Sequence, residues 1–399
     1  MAIDTQRQST RAGRTISQPT GYSAFIPAPL PPIPSVAVEG ELLRLLSDAD
    51  RALARLDAIS TMLPNPDLFV AMYVRQEAVL SSQIEGTQST LEDVLAFEAN
   101  ATHNKAPKDV AEVVNYVRAM NHGLRRLPEL PLSLRLLREI HQELMHNVRG
   151  GERTPGEFRT SQNWIGAPGS TLMNAAFVPP PPHELMRCLG DFENFIHEHK
   201  ADTPLLIQCG LAHAQFETIH PFLDGNGRVG RLLIALMLCE ANALHRPLLY
   251  LSHYLKANRA EYYDRLTAIR QRGDWEGWLR FFLRGVAEVS EQATATARRI
   301  VALREEQRAK FASNANALKL IDSLFEKPIV NVKQCADVLR VTYVTANSLV
   351  AKLEKAGLLM EMTSWGRNRV FRFQAYLALF SDDSAAANAR PLTGSDPQT

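Results

Sequence analysis

His220-Pro-Phe-Leu-Asp-Gly-Asn-Gly-Arg-Val-Gly-Arg231 separates two long apolar segments, and its reading as a loop between helices organises everything around it. Leu206 to Phe216 reads as a buried helix that ends before Pro221, because proline lacks the N–H that the next turn needs. Val229 to Leu244 reads as a second helix, with Leu232, Leu233, Leu236, Met237 and Cys239 apolar. The glycines of the loop therefore fall at a helix N-terminus. Unpaired backbone N–H groups and the positive end of the helix dipole make an anion cradle there. Arg228 and Arg231 add two cationic forks suited to phosphate. Asp224 is an oxygen ligand able to hold a magnesium ion that also binds phosphates. His220 is then a general base beside the cradle. Base, metal ligand and cradle within one loop point to phosphoryl-type transfer, where positioning and charge stabilisation dominate. Gly225-Asn-Gly-Arg-Val-Gly230 also matches GxGxxG. No strand precedes it and no alternating βα pattern surrounds it, so the dinucleotide reading is set aside.

Outward from the loop the chain reads as mainly α. Leu42, Leu43, Leu45, Leu46, Ala52, Leu53 and Leu56 recur at helical spacing, and Phe69 to Leu80 and Val110 to Leu124 continue the pattern. Phe158 to Val178 interrupts it with aromatic, β-branched and turn residues around Pro168-Gly169, a β-hairpin signal stopped by Pro179 to Pro182. A lone hairpin in a helical domain is marginal by itself, so it reads as a functional flap. At the N-terminus, residues 1–20 are polar and patternless and are expected to be disordered. Phe25 to Pro34 cannot be helical and is expected to be an extended arm on the domain surface. Residues 316–380 read as helix–turn–helix followed by two strands around Trp365-Gly-Arg-Asn368, a winged-helix pattern, with Gly357 capping its second helix. The expected divisions are an arm over 1–35, a helical region over 36–110, a core over 111–305, the winged helix over 316–380 and a loose tail over 381–399.

Composition narrows the function classes. With 44 Lys+Arg against 43 Asp+Glu over 399 residues, nucleic-acid affinity would have to come from a local patch. The winged-helix segment has a mild positive excess near its wing, but its second helix offers Thr345, Asn347 and Ser348 and no arginine for guanine edges. Contact with DNA and contact with protein both remain open for it. Cys188, Cys209, Cys239 and Cys335 form no CxxC pair, which fits a reducing compartment and argues against a zinc ribbon. No apolar stretch is long enough for a membrane span and no secretory h-region follows the N-terminal arginines. A cytoplasmic protein with no membrane partner is expected.

The 220–231 stretch resembles the signature of the Fic family, HPFx[D/E]GNGRxxR, at every defining position. Ser81-Ser-Gln-Ile-Glu-Gly86 resembles the family's inhibitory [S/T]xxxE[G/N] motif in its N-terminal position. Pro155 to Arg159, Asn163 to Gly166, Phe177 to Pro182 and Leu248 to Tyr254 are similar to the same subgroup, including members with a C-terminal winged helix. The resemblance implies a Fic helical core and a protein adenylyltransferase using ATP and Mg2+. In it, His220 deprotonates a Tyr, Thr or Ser hydroxyl of an unidentified target protein, or of the chain itself, for attack on the α-phosphate of ATP. Asp224 holds the magnesium ion, Gly225, Asn226 and Gly227 form the anion hole, and Arg228 and Arg231 hold the outer phosphates. Phe222 anchors the loop. The flap, with Trp164, Ile165, Gly166 and Phe177, pairs with the target backbone as an added strand. Tyr250, Ser252 and Tyr263 are candidates for the base pocket. Glu85, one helical turn from Ser81, acts as a brake: its carboxylate reaches Arg231 and occupies the γ-phosphate site. Removal of AMP at the same site, and a DNA-binding regulator that uses the Fic unit as an ATP sensor, are the alternatives. A homodimer that controls the inhibitory helix is compatible with this reading.

Overall fold

Two strands open the described chain, β1 (Gly13–Ser17) and β2 (Ser23–Pro27), paired antiparallel with Arg14 opposite Ile26 and Ile16 opposite Ala24. The computed structural model describes residues 11–62, 66–99, 109–167, 169–198, 203–363 and 369–387. After the strands come α1 (Gly40–Met62), α2 (Pro66–Ile84), α3 (Leu91–Glu98), α4 (Val110–Arg126), α5 (Leu134–Leu144) and α6 (Pro182–Glu198). Then follow α7 (Leu205–Ile219), α8 (Asn226–Glu240), α9 (Ser252–Ala257), α10 (Arg259–Arg272) and the long α11 (Trp275–Lys310). The chain continues with α12 (Ala315–Leu324), β3 (Ile329–Asn331), α13 (Val332–Leu339), α14 (Tyr343–Lys355), β4 (Met360–Glu361), β5 (Val370–Arg372) and α15 (Gln374–Ala387). The mainly α expectation holds. No described helix is long and apolar enough to cross a membrane.

The chain divides into two compact units. The first takes Met1–Ala58, Tyr73–Ser89 and Lys108–Glu291; the second takes Ile59–Met72, Thr90–Pro107 and Gln292–Thr399.

In the first unit α7 and α8 pack against each other, with α6 on α7 and α4 and α5 on α8. Every residue of α7 from Leu206 to Ile219 is buried, and so is α8 from Arg228 to Leu238. Neither stretch keeps a solvent face, so the polar residues within them, Glu217, Arg228 and Arg231 among them, are buried as well. Gly210 lets α11 come close: a Cβ there would lie 2.7 Å from Leu279 and 3.1 Å from Phe282, and the Trp278 indole N–H donates to the Gly210 carbonyl at 2.8 Å. Gly210→Ala should therefore destabilise the protein by about 1–2 kcal/mol, because overpacking outweighs the helix-propensity gain. Chemical denaturation reads this directly, and a midpoint at or above that of the parent would contradict it.

Three expectations change here. Residues 1–10 lie outside the described residues, but Gly13–Ser17 is a strand within the segment expected to be disordered. Tertiary partners order it: Arg11 pairs with Glu276 at 2.6 Å, and the Trp275 indole donates to the Arg11 carbonyl at 3.3 Å. The arm after it is not superficial either. Ala24, Phe25, Ile26 and Leu30 are buried, the Phe25 N–H donates to the Val178 carbonyl at 2.9 Å, and Gln215 donates to Ala28 at 2.8 Å. The flap is not a ladder. Among the described residues a single antiparallel bridge, Ile165 with Phe177, closes it, at 2.8 and 3.0 Å. Between them short turns replace strand pairing: Ser170 N–H bonds Ala167, and Asn174 caps Thr171 through its side chain at 2.6 Å. Pro168 lies outside the described residues.

In the second unit β3, β5 and β4 form an antiparallel sheet in the order β3-β5-β4; α13 packs on β3, and α12 and α14 pack on α13. Leu320, Ile321, Leu324, Phe325, Phe371, Phe373 and Tyr376 are all buried. Asn331 caps α13 reciprocally with Gln334, and Gly357 sits at φ +74° behind α14 as its C-terminal cap. Two of the cations in this segment are paired. Arg369 pairs with Glu354 at 2.9 Å and Glu361 at 2.6 Å, and Arg372 pairs with Glu92 at 3.1 Å. The wing tip at 365–368 lies outside the described residues. So does 388–399, whereas the first part of the expected tail is helical through Ala387.

Candidate active site

The loop between α7 and α8 opens and closes on left-handed backbone. His220 caps α7 at φ 51°, ψ 61°, and Gly225 precedes α8 at φ 77°. Glycine adopts that region freely, while histidine does so only if its surroundings hold it there. Phe222 is fully buried and stacks on His141 at 3.8 Å, nearly parallel. Asn226 staples the loop: its Oδ1 accepts from the Phe222 N–H and its Nδ2 donates to the Phe222 carbonyl, both at 2.8 Å. Its side chain is thus spent on the loop itself, and only its backbone N–H belongs with those of Gly225 and Gly227 at the start of α8.

The His220 imidazole is held far below its ordinary range, at about 3, by burial and by the nearby Arg270 and Arg159 guanidinium groups. Among the described residues its Nδ1 is buried without a close hydrogen-bond partner, although the Glu217 backbone lies near enough to raise the ring slightly. The ring is therefore neutral across the physiological range and keeps a lone pair for a proton. Asp224, next along the loop, is partly exposed. Its Oδ1 accepts from the Gly225 N–H at 2.7 Å, and its carboxylate lies 3.8 Å from Arg228 and 3.9 Å from Arg153. Among the described residues no three His, Cys, Asp or Glu side chains gather as a metal cage. One hard carboxylate suits magnesium, which takes one or two protein carboxylates and completes its shell with phosphates and water.

The two arginines of the motif are buried and already engaged. Arg228 pairs with Glu112 of α4 at 3.0 Å. Arg231 donates to the Ser81 hydroxyl at 2.8 Å, to the Ser81 carbonyl at 3.1 Å and to Glu85 at 2.6 Å. Glu85 lies in the turn just beyond α2, not within the helix as its spacing from Ser81 suggests. Burial pushes its carboxyl up, but Arg231, then Arg228 and His220, outweigh burial and hold it below the usual range. It is ionised. Its carboxylate lies over Gly227, where a Cβ would come within 2.3 Å of Oε1. A side chain at 227 and Glu85 cannot share that space.

Glu77, two turns back on α2, was not singled out from the sequence. It accepts from the Ser252 N–H at 3.0 Å, the Ser252 hydroxyl at 2.5 Å and the Tyr116 hydroxyl at 3.1 Å. Burial raises it to about 7. Ser252 is thus fully buried against Glu77, and Tyr250 is 2% exposed and packs on Tyr73. Neither lines an open base pocket. Of the three pocket candidates only Tyr263 is exposed, with Arg259 over its ring at 5.3 Å. Glu217, also raised to about 7 by burial, lies beside Gly230. His141 accepts the Gly156 N–H at Nδ1 and so donates from Nε2 to the Asp224 carbonyl at 3.1 Å. None of these carries a sequence signal, since each acts across elements far apart in the chain. On the flap, Trp164 is 41% exposed and bonds the Ser170 carbonyl, Gly166 leaves room for Ser170 that a Cβ would take, and Phe177 lies under Arg270 at 3.9 Å.

This loop geometry defines a class, and comparison with known proteins agrees. Residues 43–125 match the Fic/DOC family N-terminal profile, and residues 131–238 match the Fic/DOC family profile. Residues 131–238 are thus similar to a Fic domain, with a segment similar to that family's N-terminal region ahead of them. A protein adenylyltransferase Fic of Drosophila virilis is 29% identical over 210 residues, covering 52% of this chain and 37% of the relative. The chain thus spans less than two fifths of the curated relatives it matches. A Fic family protein from Desulfovibrio desulfuricans shares the fold, with TM-score 0.56 and 17% identity over 85% of this chain and 97% of that one. A Fic domain containing signalling protein from Bacteroides thetaiotaomicron has TM-score 0.50 and 17% identity over 63% of this chain and 97% of its own.

Proposed function

We propose that this chain transfers AMP from ATP to a hydroxyl of a target protein and that Glu85 restrains the reaction. The observation that carries the reading is the ionised Glu85, bonded at 2.6 Å to Arg231 above Gly227 at the start of α8. A carboxylate placed there stands where an anionic group would meet Arg231 and the helix N-terminus. Arg231 would hold the outer phosphates once Glu85 withdraws, and Arg228, fixed by Glu112, would add charge beside the cradle. Backbone N–H groups from Gly225 to Gly227 would stabilise charge growing on the phosphoryl oxygens. Neutral His220 would take the proton of the attacking hydroxyl. The new bond joins that oxygen to the α-phosphorus, and pyrophosphate leaves with the electron pair of the broken P–O bond. Asp224 would hold the magnesium ion, which when bound neutralises phosphate charge. Trp164, Ile165, Gly166 and Phe177 would present the flap to the target backbone. The likeness to relatives named protein adenylyltransferase supports the same chemistry.

Intact mass after incubation with ATP and magnesium tests this. Glu85→Gly should gain AMP increments, and Glu85→Gly/His220→Ala should gain none. Equal masses in both, with an added protein acceptor as well as without, would remove transfer from consideration.

A further inference from the structure

Four consecutive carbonyls, from Ile219 to Phe222, accept hydrogen bonds from one short segment, Arg159 to Asn163. Arg159 donates to Ile219 at 3.4 Å and to His220 at 2.9 Å, and its backbone N–H donates to Pro221 at 2.9 Å. Asn163 donates to His220 at 3.1 Å and to Phe222 at 2.8 Å. A carbonyl has two lone pairs, and both of those on His220 are taken by this pair of side chains. The Ile219 and His220 carbonyls, at the end of α7, would otherwise be orphans, since a helix leaves its last carbonyls unpaired; that of Phe222 also accepts from Asn226. His220 also has a left-handed backbone that needs external support, because a side chain crowds the following carbonyl there.

Arg159 is 3% exposed and, among the described residues, makes no ion pair within bonding distance; its donors go to carbonyls only. One of them is Pro180, at 2.6 Å. Pro180 follows the flap's closing residue Phe177 by three positions, and Asn163 precedes its opening residue Ile165 by two. Both roots of the flap are therefore bonded to the side chains that grip His220.

We infer that Arg159 and Asn163 are positioning residues of the transfer reaction. They lock His220 in its left-handed turn and join both roots of the flap to it, so that a polypeptide docked on the flap is registered against the imidazole. This rests on the transfer reading above. Neither residue touches the phosphate cradle at the start of α8, so losing one should slow transfer without weakening ATP binding.

The test uses the full chain in the Glu85→Gly background. Asn163→Asp keeps shape but cannot donate to the two carbonyls, and Asn163→Ala removes the group. Each should lower the transfer rate at saturating ATP by tenfold or more, with the ATP dissociation constant from calorimetry within twofold of the parent. Arg159→Lys, which keeps one donor and the charge, should lose less than Arg159→Met. Should the Arg159 variants fail to fold, the Asn163 pair carries the test. Transfer within twofold of the parent, or a fall matched by an equal loss of ATP affinity, overturns the inference. Amide exchange at Ile165 and Phe177 keeps it separate from the function: if the parent transfers nothing, faster exchange in Asn163→Ala still supports the link, and unchanged exchange overturns it.

Discussion

Glu85→Gly should raise the initial rate of AMP transfer by roughly 30- to 150-fold over wild type. Breaking a buried ion pair costs about 3–5 kcal/mol. Glu85 is 34% exposed, so solvent screening reduces that to about 2–3 kcal/mol, and each 1.4 kcal/mol is tenfold. On the proposed reading, a nucleotide displaces this pair in wild type before its phosphates reach Arg231. In the variant Arg231 still bonds Ser81, so the guanidinium stays in place with one fork free. The position helps too: a negative charge just past the C-terminal end of α2 opposes the helix dipole, so removing it does not unsettle α2. Glu85→Gln, which keeps the shape and loses the charge, should fall between the two. Initial rates over a range of ATP concentrations read the effect, and equal rates in all three proteins would show that Glu85 is not a brake.

His220→Ala in the Glu85→Gly background should lower the rate by about 10²- to 10⁴-fold, the usual share of a positioned general base. The pH profile of the parent should carry an unusual signature. A profile of kcat/KM reports the free enzyme, whose His220 titrates at about 3 because it is buried beside Arg270 and Arg159. The profile should stay flat from pH 8 to below pH 6, where an ordinary imidazole would already cut it. An acid limb centred near 6.5 would mean an imidazole in contact with water. Stability follows the same protons. His220 binds its proton less readily folded than unfolded, so between about pH 6.5 and 3 its contribution is lost as pH falls, and His141 and His213, both near 4, add to the loss. Glu77 and Glu217, raised to about 7, have the opposite sign between about 4.5 and 7 and partly offset it. His220→Ala should therefore gain stability relative to the parent when thermal midpoints at pH 5 and pH 7 are compared.

The loop was legible because its information is local. Pro221 and the glycines mark the break, the flanking runs mark buried helices, and Asp224, Arg228 and Arg231 fall within one stretch of chain. The Ser81–Glu85 spacing likewise gave a shared helix face, although the last turn of α2 ends one residue earlier than that spacing suggests. Propensity misled where long-range partners override it. Gly13–Ser17 is polar and patternless, yet it pairs with a buried strand. The flap has strand-forming residues but closes with one bridge, because its turns satisfy their own backbone.

The sequence by itself determined the helical character, the candidate anion-binding loop and the candidate base, because each depends on neighbours a few residues apart. Only the tertiary structure decided which charges are free. It set Arg228 on Glu112, Arg231 on Glu85, and Ser252 on Glu77, and it brought Arg159 and Asn163 under the carbonyl of His220. Those pairings join residues up to 175 positions apart in the chain. Their strength comes from burial, where an ion or carbonyl left without a partner costs far more than it does in water, and burial is a property no stretch of sequence has alone.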